Sequence, residues 1–150
     1  MVQLPINILI VDDERDFVEV LSLRLTDAGH RVQAAYSGKE ALSILAETEP
    51  ETLPDIDVVI LDIKMPGGMD GIETLREIKK LRPETEVLLL TGHGSVETSV
   101  EGMKEGAFDY LLKPVKLEKL LEKMAKALDK KDTEEHRRQS EQIRKLLKYW

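Results

Sequence analysis

The stretch Asp57-Val58-Val59-Ile60-Leu61-Asp62-Ile63-Lys64-Met65-Pro66-Gly67-Gly68 constrains the fold more than any other part of the chain. Four consecutive aliphatic residues, three of them β-branched, run directly into a carboxylate and then a Pro-Gly-Gly breaker. A run this short and this uniformly apolar predicts a strand buried on both faces, as in a parallel sheet. Asp62 then stands at the carboxyl end of that strand, where open parallel sheets place their ligand chemistry. Taken alone, Asp62 also fits a loop-capping carboxylate at a strand exit. Its meaning depends on what the rest of the chain brings beside it.

Asn7-Ile8-Leu9-Ile10-Val11 is a second short buried strand, and it ends in Asp12-Asp13-Glu14. Phe17, Val18, Leu21, Leu25 and Ala28 have helical spacing and predict a helix over about 15–28, with Gly29 as its stop. Arg31 to Ala35 is a weaker strand, and Ser37 with Glu40 has capping-box spacing for a helix through about Ala46. Glu47 to Asp55 is a polar loop. Asp70 and Glu73 open a third helix carrying Ile72, Leu75, Ile78 and Leu81, which Pro83 closes. Glu86-Val87-Leu88-Leu89-Leu90-Thr91 is a strand that ends in a hydroxyl. Ser95 starts a weak fourth helix anchored by Val96, Val100 and Met103, with Gly102 interrupting it at a cost of about 1 kcal/mol relative to Ala. Tyr110-Leu111-Leu112 is a short fifth strand that runs into Lys113-Pro114. Leu117, Leu120, Leu121, Met124 and Leu128 form the stripe of a fifth helix.

Strands and helices alternate five times, which implies a parallel sheet covered on both faces. The first, third and fourth strands are the most apolar and belong inside, so the second and fifth are edges. The order 2-1-3-4-5 satisfies this with right-handed crossovers. The expected fold is a flavodoxin-like, doubly wound, five-stranded α/β sheet. Its domain spans 1–128, and 129–150 forms a charged C-terminal helical extension. In that order the chain reverses direction between strands 1 and 3, so Asp12, Asp13 and Asp62 meet at one crevice.

Three converging carboxylates repel, each pair by roughly 4 kcal/mol at contact with an effective dielectric near 20. Such a cluster persists when a cation joins it. The 150 residues contain no cysteine, and His30, His93 and His136 are scattered, so the ligands are all oxygen and select a hard ion such as Mg²⁺. Lys113, at the end of strand 5, supplies a second positive charge, and Thr91 supplies a hydroxyl at the end of strand 4. A carboxylate beside Mg²⁺, a lysine and a hydroxyl suits phosphoryl transfer with Asp as nucleophile.

Charge supports a cation site. The tail 129–150 holds seven Lys/Arg against five Asp/Glu, a net of +2, which leaves 15 basic and 24 acidic residues in 1–128, a net of −9. An acidic body argues against nucleic acid as a direct partner. No apolar run approaches a membrane span and no signal pattern opens the chain, so a cytoplasmic protein without membrane contact is expected.

Val11-Asp12-Asp13-Glu14, Leu61-Asp62-Ile63-Lys64-Met65-Pro66, Thr91-Gly92 and Lys113-Pro114 together resemble a two-component response-regulator receiver domain over about residues 6–128. Gly94 to Thr98 and Glu105 to Pro114 are similar to receivers of the nitrogen-regulatory class. The resemblance implies that Asp62 accepts a phosphoryl group from a sensor histidine kinase. It also implies that Asp13, Asp62 and the backbone carbonyl of Lys64 hold Mg²⁺, with Asp12 acting through water. Thr91 and Tyr110 would form a switch that reshapes the face of helix 4, strand 5 and helix 5 toward an output partner or a second receiver. Tyr110 also reads simply as half-buried edge-strand filler. The sequence departs from the family pattern by one extra Gly in Met65-Pro66-Gly67-Gly68-Met69-Asp70-Gly71 and by a long Glu47–Asp55 loop.

A competing function is a Mg²⁺-dependent phosphatase with an aspartyl-phosphate intermediate. In haloacid-dehalogenase-type enzymes a general acid stands two residues after the nucleophile, and here that position is Lys64. The favoured expectation is therefore a phosphorylation-gated binding module rather than an enzyme. In the tail, Glu134/Arg138 and Glu141/Lys145 are i,i+4 pairs, and Ile143, Leu146, Leu147 and Trp150 lie on one helical stripe. That stripe suits folding back on the domain or a frayed end, or else pairing with a partner or with a second chain in a homodimer.

Overall fold

A computed structural model describes residues 5–47, 55–92 and 96–148. Strands β1 (Asn7–Val11), β2 (Arg31–Ala35), β3 (Val58–Asp62), β4 (Glu86–Thr91) and β5 (Asp109–Leu112) alternate with helices α1 (Arg15–Asp27), α2 (Gly38–Glu47), α3 (Gly71–Leu81), α4 (Val96–Lys104) and α5 (Leu117–Leu147). All four strand pairings are parallel, and the order is β2-β1-β3-β4-β5. The predicted topology is the observed one. No described helix is long and apolar enough to cross a membrane.

Burial follows strand position. Every residue of β3 and β4 is buried, whereas edge strands β2 and β5 are mixed. Alternation sends Leu9, Val11, Val59, Leu61, Val87 and Leu89 to one face, against Ala41 and Leu45 of α2 and Leu75 and Ile78 of α3. Ile8, Ile10, Val58, Ile60, Leu88 and Leu90 line the other, against Val18, Leu21 and Leu25 of α1 and Leu120 and Met124 of α5. At about 1.5–3 kcal/mol for each fully buried aliphatic side chain, these two layers dominate the fold's stability. The Asp57 carboxylate fixes the start of the pairing by accepting the Asn7 amide at 2.9 Å.

The helix starts follow the predicted chemistry. Asp70 caps α3 by accepting the Glu73 amide at 2.8 Å. The Ser37 hydroxyl accepts the Glu40 amide at 3.1 Å, while the Glu40 carboxylate reaches back to the Tyr36 amide. His30 is a buried structural residue whose Nδ1 accepts the Ile6 amide, and burial lowers its pKa.

Helix α4 differs from expectation. Val100 and Met103 are exposed, and α4 turns Ser99 and Gly102 inward instead. A Cβ on Gly102 would stand 2.2 Å from the Leu89 side chain, so the glycine allows α4 to approach the sheet closely rather than merely interrupting the helix. Arg76 ties α3 to α4 through ion pairs with Glu101 and Glu105.

Helix α5 runs unbroken past residue 128. Its described extension is held by charge: Lys130 lies 4.0 Å from the buried Glu86, and Arg138 pairs with Glu84. Ile143, Leu146 and Leu147 stay exposed. His93, Gly94, Ser95, residues 48–54 of the long loop and Trp150 lie outside the described residues, as do the side chains of Val96, Glu134 and His136.

Candidate functional site

The sheet register brings the strand ends together. Val11 pairs with Leu61, Asp62 with Leu90, and Thr91 with Leu112. Asp12 and Asp13, which follow β1, Asp62 at the end of β3, Thr91 at the end of β4 and Lys113 just after β5 therefore occupy one edge of the sheet. Two backbone bonds carry the pattern beyond the strands: Asp12 N–H donates to the Ala35 carbonyl, and Lys113 N–H donates to the Thr91 carbonyl at 2.8 Å.

Asp12, Asp13 and Asp62 each place a carboxylate oxygen within 4.8 Å of the others. Asp12 and Asp62 are buried, and Asp13 is exposed. A cluster of three oxygen donors with one open side suits a hard divalent cation. The Lys113 ammonium already offsets part of the charge. It lies 2.7 Å from Asp12 Oδ2, 3.3 Å from Glu14 Oε1 and 3.5 Å from Asp62 Oδ2. The same Nζ stands 4.5 Å from the centroid of the Phe17 ring.

Electrostatics separate the groups. Burial is the largest influence on Asp62, followed by the charge of Asp12. Lys113 and the Lys64 amide pull the other way, and the pKa is pushed up to about 6. Burial pulls Lys113 down, but its bonds to Asp12 and Glu14 and the nearby charges of Asp62 and Asp12 outweigh this and hold it above the ordinary lysine value. Asp62 is thus an ionised but unusually basic carboxylate at neutral pH, beside a lysine that stays charged.

The loop that follows is held close. Lys64 N–H donates to Asp62 Oδ1 at 3.2 Å, Met65 is buried, and Gly71 N–H donates to the Ile63 carbonyl at 3.0 Å. A Cβ on Gly71 would lie 2.5 Å from the Asp62 carbonyl oxygen, so only glycine fits this return of the chain. The additional glycine is absorbed between these anchors, where Gly67 and Gly68 both take positive φ.

Thr91 is buried, and its hydroxyl donates to the Gly92 carbonyl at 3.1 Å. Tyr110 is 41% exposed, with Lys123 5.4 Å from its ring centroid. The ring points outward rather than filling the edge of the sheet.

A family model described as the response regulator receiver domain matches residues 8–125. The chain belongs to the response regulator receiver domain family. It is 42% identical over 128 residues to the transcriptional regulatory protein ZraR of Salmonella typhimurium, covering 85% of this chain and 27% of that protein. The chain thus spans about a quarter of that relative's length. Among solved structures, a response regulator receiver domain protein from Clostridium thermocellum is 40% identical with a TM-score of 0.77, over 85% of this chain and 98% of that one. NtrX from Brucella abortus is 33% identical with a TM-score of 0.80, over 89% of this chain and 29% of that one. This receiver domain is thereby a signalling module of a two-component system, in a family phosphorylated on aspartate by histidine kinases, and ZraR and NtrX, to which it is similar, are regulators of the nitrogen-regulatory class.

Two neighbours of the site were not singled out from sequence. Glu14 was legible only as the third member of an acidic run, and Phe17 only as an apolar position on α1. Phe17 lies one helical turn beyond Asp13, and that spacing is the signal that could have placed it near the crevice.

Proposed function

We propose that Asp62 is the phosphoacceptor of this receiver and takes its phosphoryl group from a sensor histidine kinase. The observation that carries this reading is the meeting of Asp62 with Asp12, Asp13 and Lys113, a buried nucleophile between an oxygen-donor cluster and a fixed ammonium. An Asp62 oxygen attacks phosphorus, and the P–N bond of the donor phosphohistidine breaks. Its electron pair stays on the imidazole, which takes up a proton, and Asp62 becomes an acyl phosphate. Lys113 Nζ pairs with the incoming phosphoryl oxygens. The Thr91 hydroxyl leaves the Gly92 carbonyl to donate to one of them. Asp12, Asp13, Asp62 and the Lys64 carbonyl are the groups that would hold Mg²⁺, which when bound neutralises charge on the transferring oxygens.

The output is a change of binding face. As Thr91 turns toward the acyl phosphate, Tyr110 turns inward and re-biases α4, which turns the small residues Ser99 and Gly102 toward the sheet. Shifting such an equilibrium from 1:99 to 99:1 needs about 5.5 kcal/mol, and one charge-assisted hydrogen bond supplies about 1.5–3. A partner on α4, β5 and α5, an output element or a second receiver, completes the shift. Residues 1–128 form the receiver, and 129–150 form a charged extension whose exposed tip pairs with a second copy.

Acetyl phosphate with Mg²⁺ tests the assignment. Intact mass gains one phosphoryl group in the parent and none in Asp62→Ala, and EDTA suppresses the gain. Equal labelling of Asp62→Ala overturns it. Amide exchange then changes most over residues 92–112, and a change confined to the phosphoryl pocket rejects the switch.

A further inference from the structure

Lys113 is the only cation paired with both buried carboxylates of the site among the described residues, and its side chain is only 18% exposed. Its backbone is fixed by the bond to the Thr91 carbonyl. The four-carbon stem is not fixed by that bond, because a lysine side chain is rotamer-rich and its ammonium is a strongly hydrated point charge. Three carboxylates compete for the ammonium. Asp12 at 2.7 Å and Glu14 at 3.3 Å are nearer than Asp62 at 3.5 Å, and Glu14 lies at the exposed rim. Carboxylates alone would let Lys113 swing out along the Glu14 side into solvent.

The ammonium also stands over the face of the Phe17 ring, 4.5 Å from its centroid. An aromatic face attracts a cation through its quadrupole, more strongly as water is removed. The ring stands on a rigid support: Phe17 packs against the same core layer as Val18, Leu21 and Leu25 of α1. Together with Val20, Leu21, Pro114 and Val115 it lines a groove of about 540 Å³ that reaches Lys113. The other close ring contact to a cation on α1, Arg15 over Tyr36, touches neither Asp12 nor Asp62.

We propose that Phe17 is a positioning residue for phosphoryl transfer, its ring face holding the Lys113 ammonium inward against Asp12 and Asp62. The proposal rests on Asp62 as phosphoacceptor. A leucine at this position preserves apolar packing on the core but offers no π face, whereas tyrosine and tryptophan keep one.

The test uses the full chain with Mg²⁺ and acetyl phosphate, a donor too small to depend on protein docking. Initial labelling is followed by intact mass for the parent, Phe17→Leu, Phe17→Tyr and Phe17→Trp. Phe17→Leu slows labelling about three- to tenfold, while Tyr and Trp stay within about twofold of the parent. In NMR spectra the Lys113 Hε resonances are shielded by the ring in the parent and in Phe17→Tyr, and move to ordinary lysine positions in Phe17→Leu. A Phe17→Leu rate equal to the parent's overturns the proposal. Equal slowing in all three variants overturns it in favour of packing. A parent that takes no label overturns the phosphoacceptor reading itself, and the role of Phe17 falls with it.

Discussion

Replacing Asp62 by Asn should stabilise the metal-free protein. The Asp62 pKa stands near 6 in the fold against an ordinary 3.8, chiefly through burial and secondly through Asp12. Because the folded pKa is raised, the native state binds more protons than the unfolded chain between those values, and stability falls as pH rises through that window. The full penalty of the ionised carboxylate is present above about pH 6 and amounts to about 3 kcal/mol at 1.36 kcal/mol per pH unit. The Asp62→Asn amide removes it and keeps an acceptor for the Lys64 amide, which bonds Asp62 Oδ1. The NH₂ group of that side chain faces Lys113, which lies 3.5 Å from Asp62 Oδ2 in the parent, and this returns part of the gain. The net expectation is about 2 kcal/mol, or about 6 °C in Tm for a chain of this size. The assay is thermal and urea unfolding of parent and Asp62→Asn in EDTA, at neutral pH and again near pH 4. The difference should be large at neutral pH and mostly gone near pH 4, where Asp62 is neutral in the fold and about half ionised in the unfolded chain. His30 titrates in both proteins and cancels from that difference. Added Mg²⁺ should then stabilise the parent and leave Asp62→Asn nearly unmoved. A variant no more stable than the parent at neutral pH, or a difference that ignores pH, would refute the reasoning.

Lys113→Met leaves buried Asp12 without its 2.7 Å partner. It should cost about 1–3 kcal/mol in urea unfolding and slow labelling by acetyl phosphate at least tenfold, by roughly the worth of one lost charge-assisted contact. Gly71→Ala drives a methyl into the backbone at Asp62 and Ile63 and should cost about 1–3 kcal/mol by the same assay, as overpacking does; an unchanged midpoint would mean that the loop relaxes freely. For the tail, sedimentation of the full chain beside a 1–130 truncation should show a heavier species only for the full chain, because Ile143, Leu146 and Leu147 are removed with 131–150. Equal masses at equal concentration would exclude self-association through the tail.

Much of this protein was legible in the chain because burial has a period. The aliphatic runs in β1, β3 and β4 identify strands covered on both faces, and the diluted β2 and β5 identify the edges, so the order follows from where apolar area can leave water. A strand order fixes which strand ends adjoin, so Asp12, Asp62, Thr91 and Lys113 could be grouped before any coordinate was known. Helix α4 defeated the same logic. Val100 and Met103 look like anchors by hydrophobicity, yet close approach to Leu89 favours the residues with least volume, Ser99 and Gly102.

What the sequence determined by itself is the architecture and the carboxylate end of the sheet, because both depend on apolar area and chain connectivity, which are sums over many residues. Only the tertiary structure decided the individual partners. Lys113 meets Asp12 across 101 residues of chain, the Phe17 ring meets the Lys113 ammonium, and Arg138 meets Glu84. Such contacts are set to a fraction of an ångström by how rigid elements pack, and a short-range, directional interaction leaves no periodic trace in the chain that makes it.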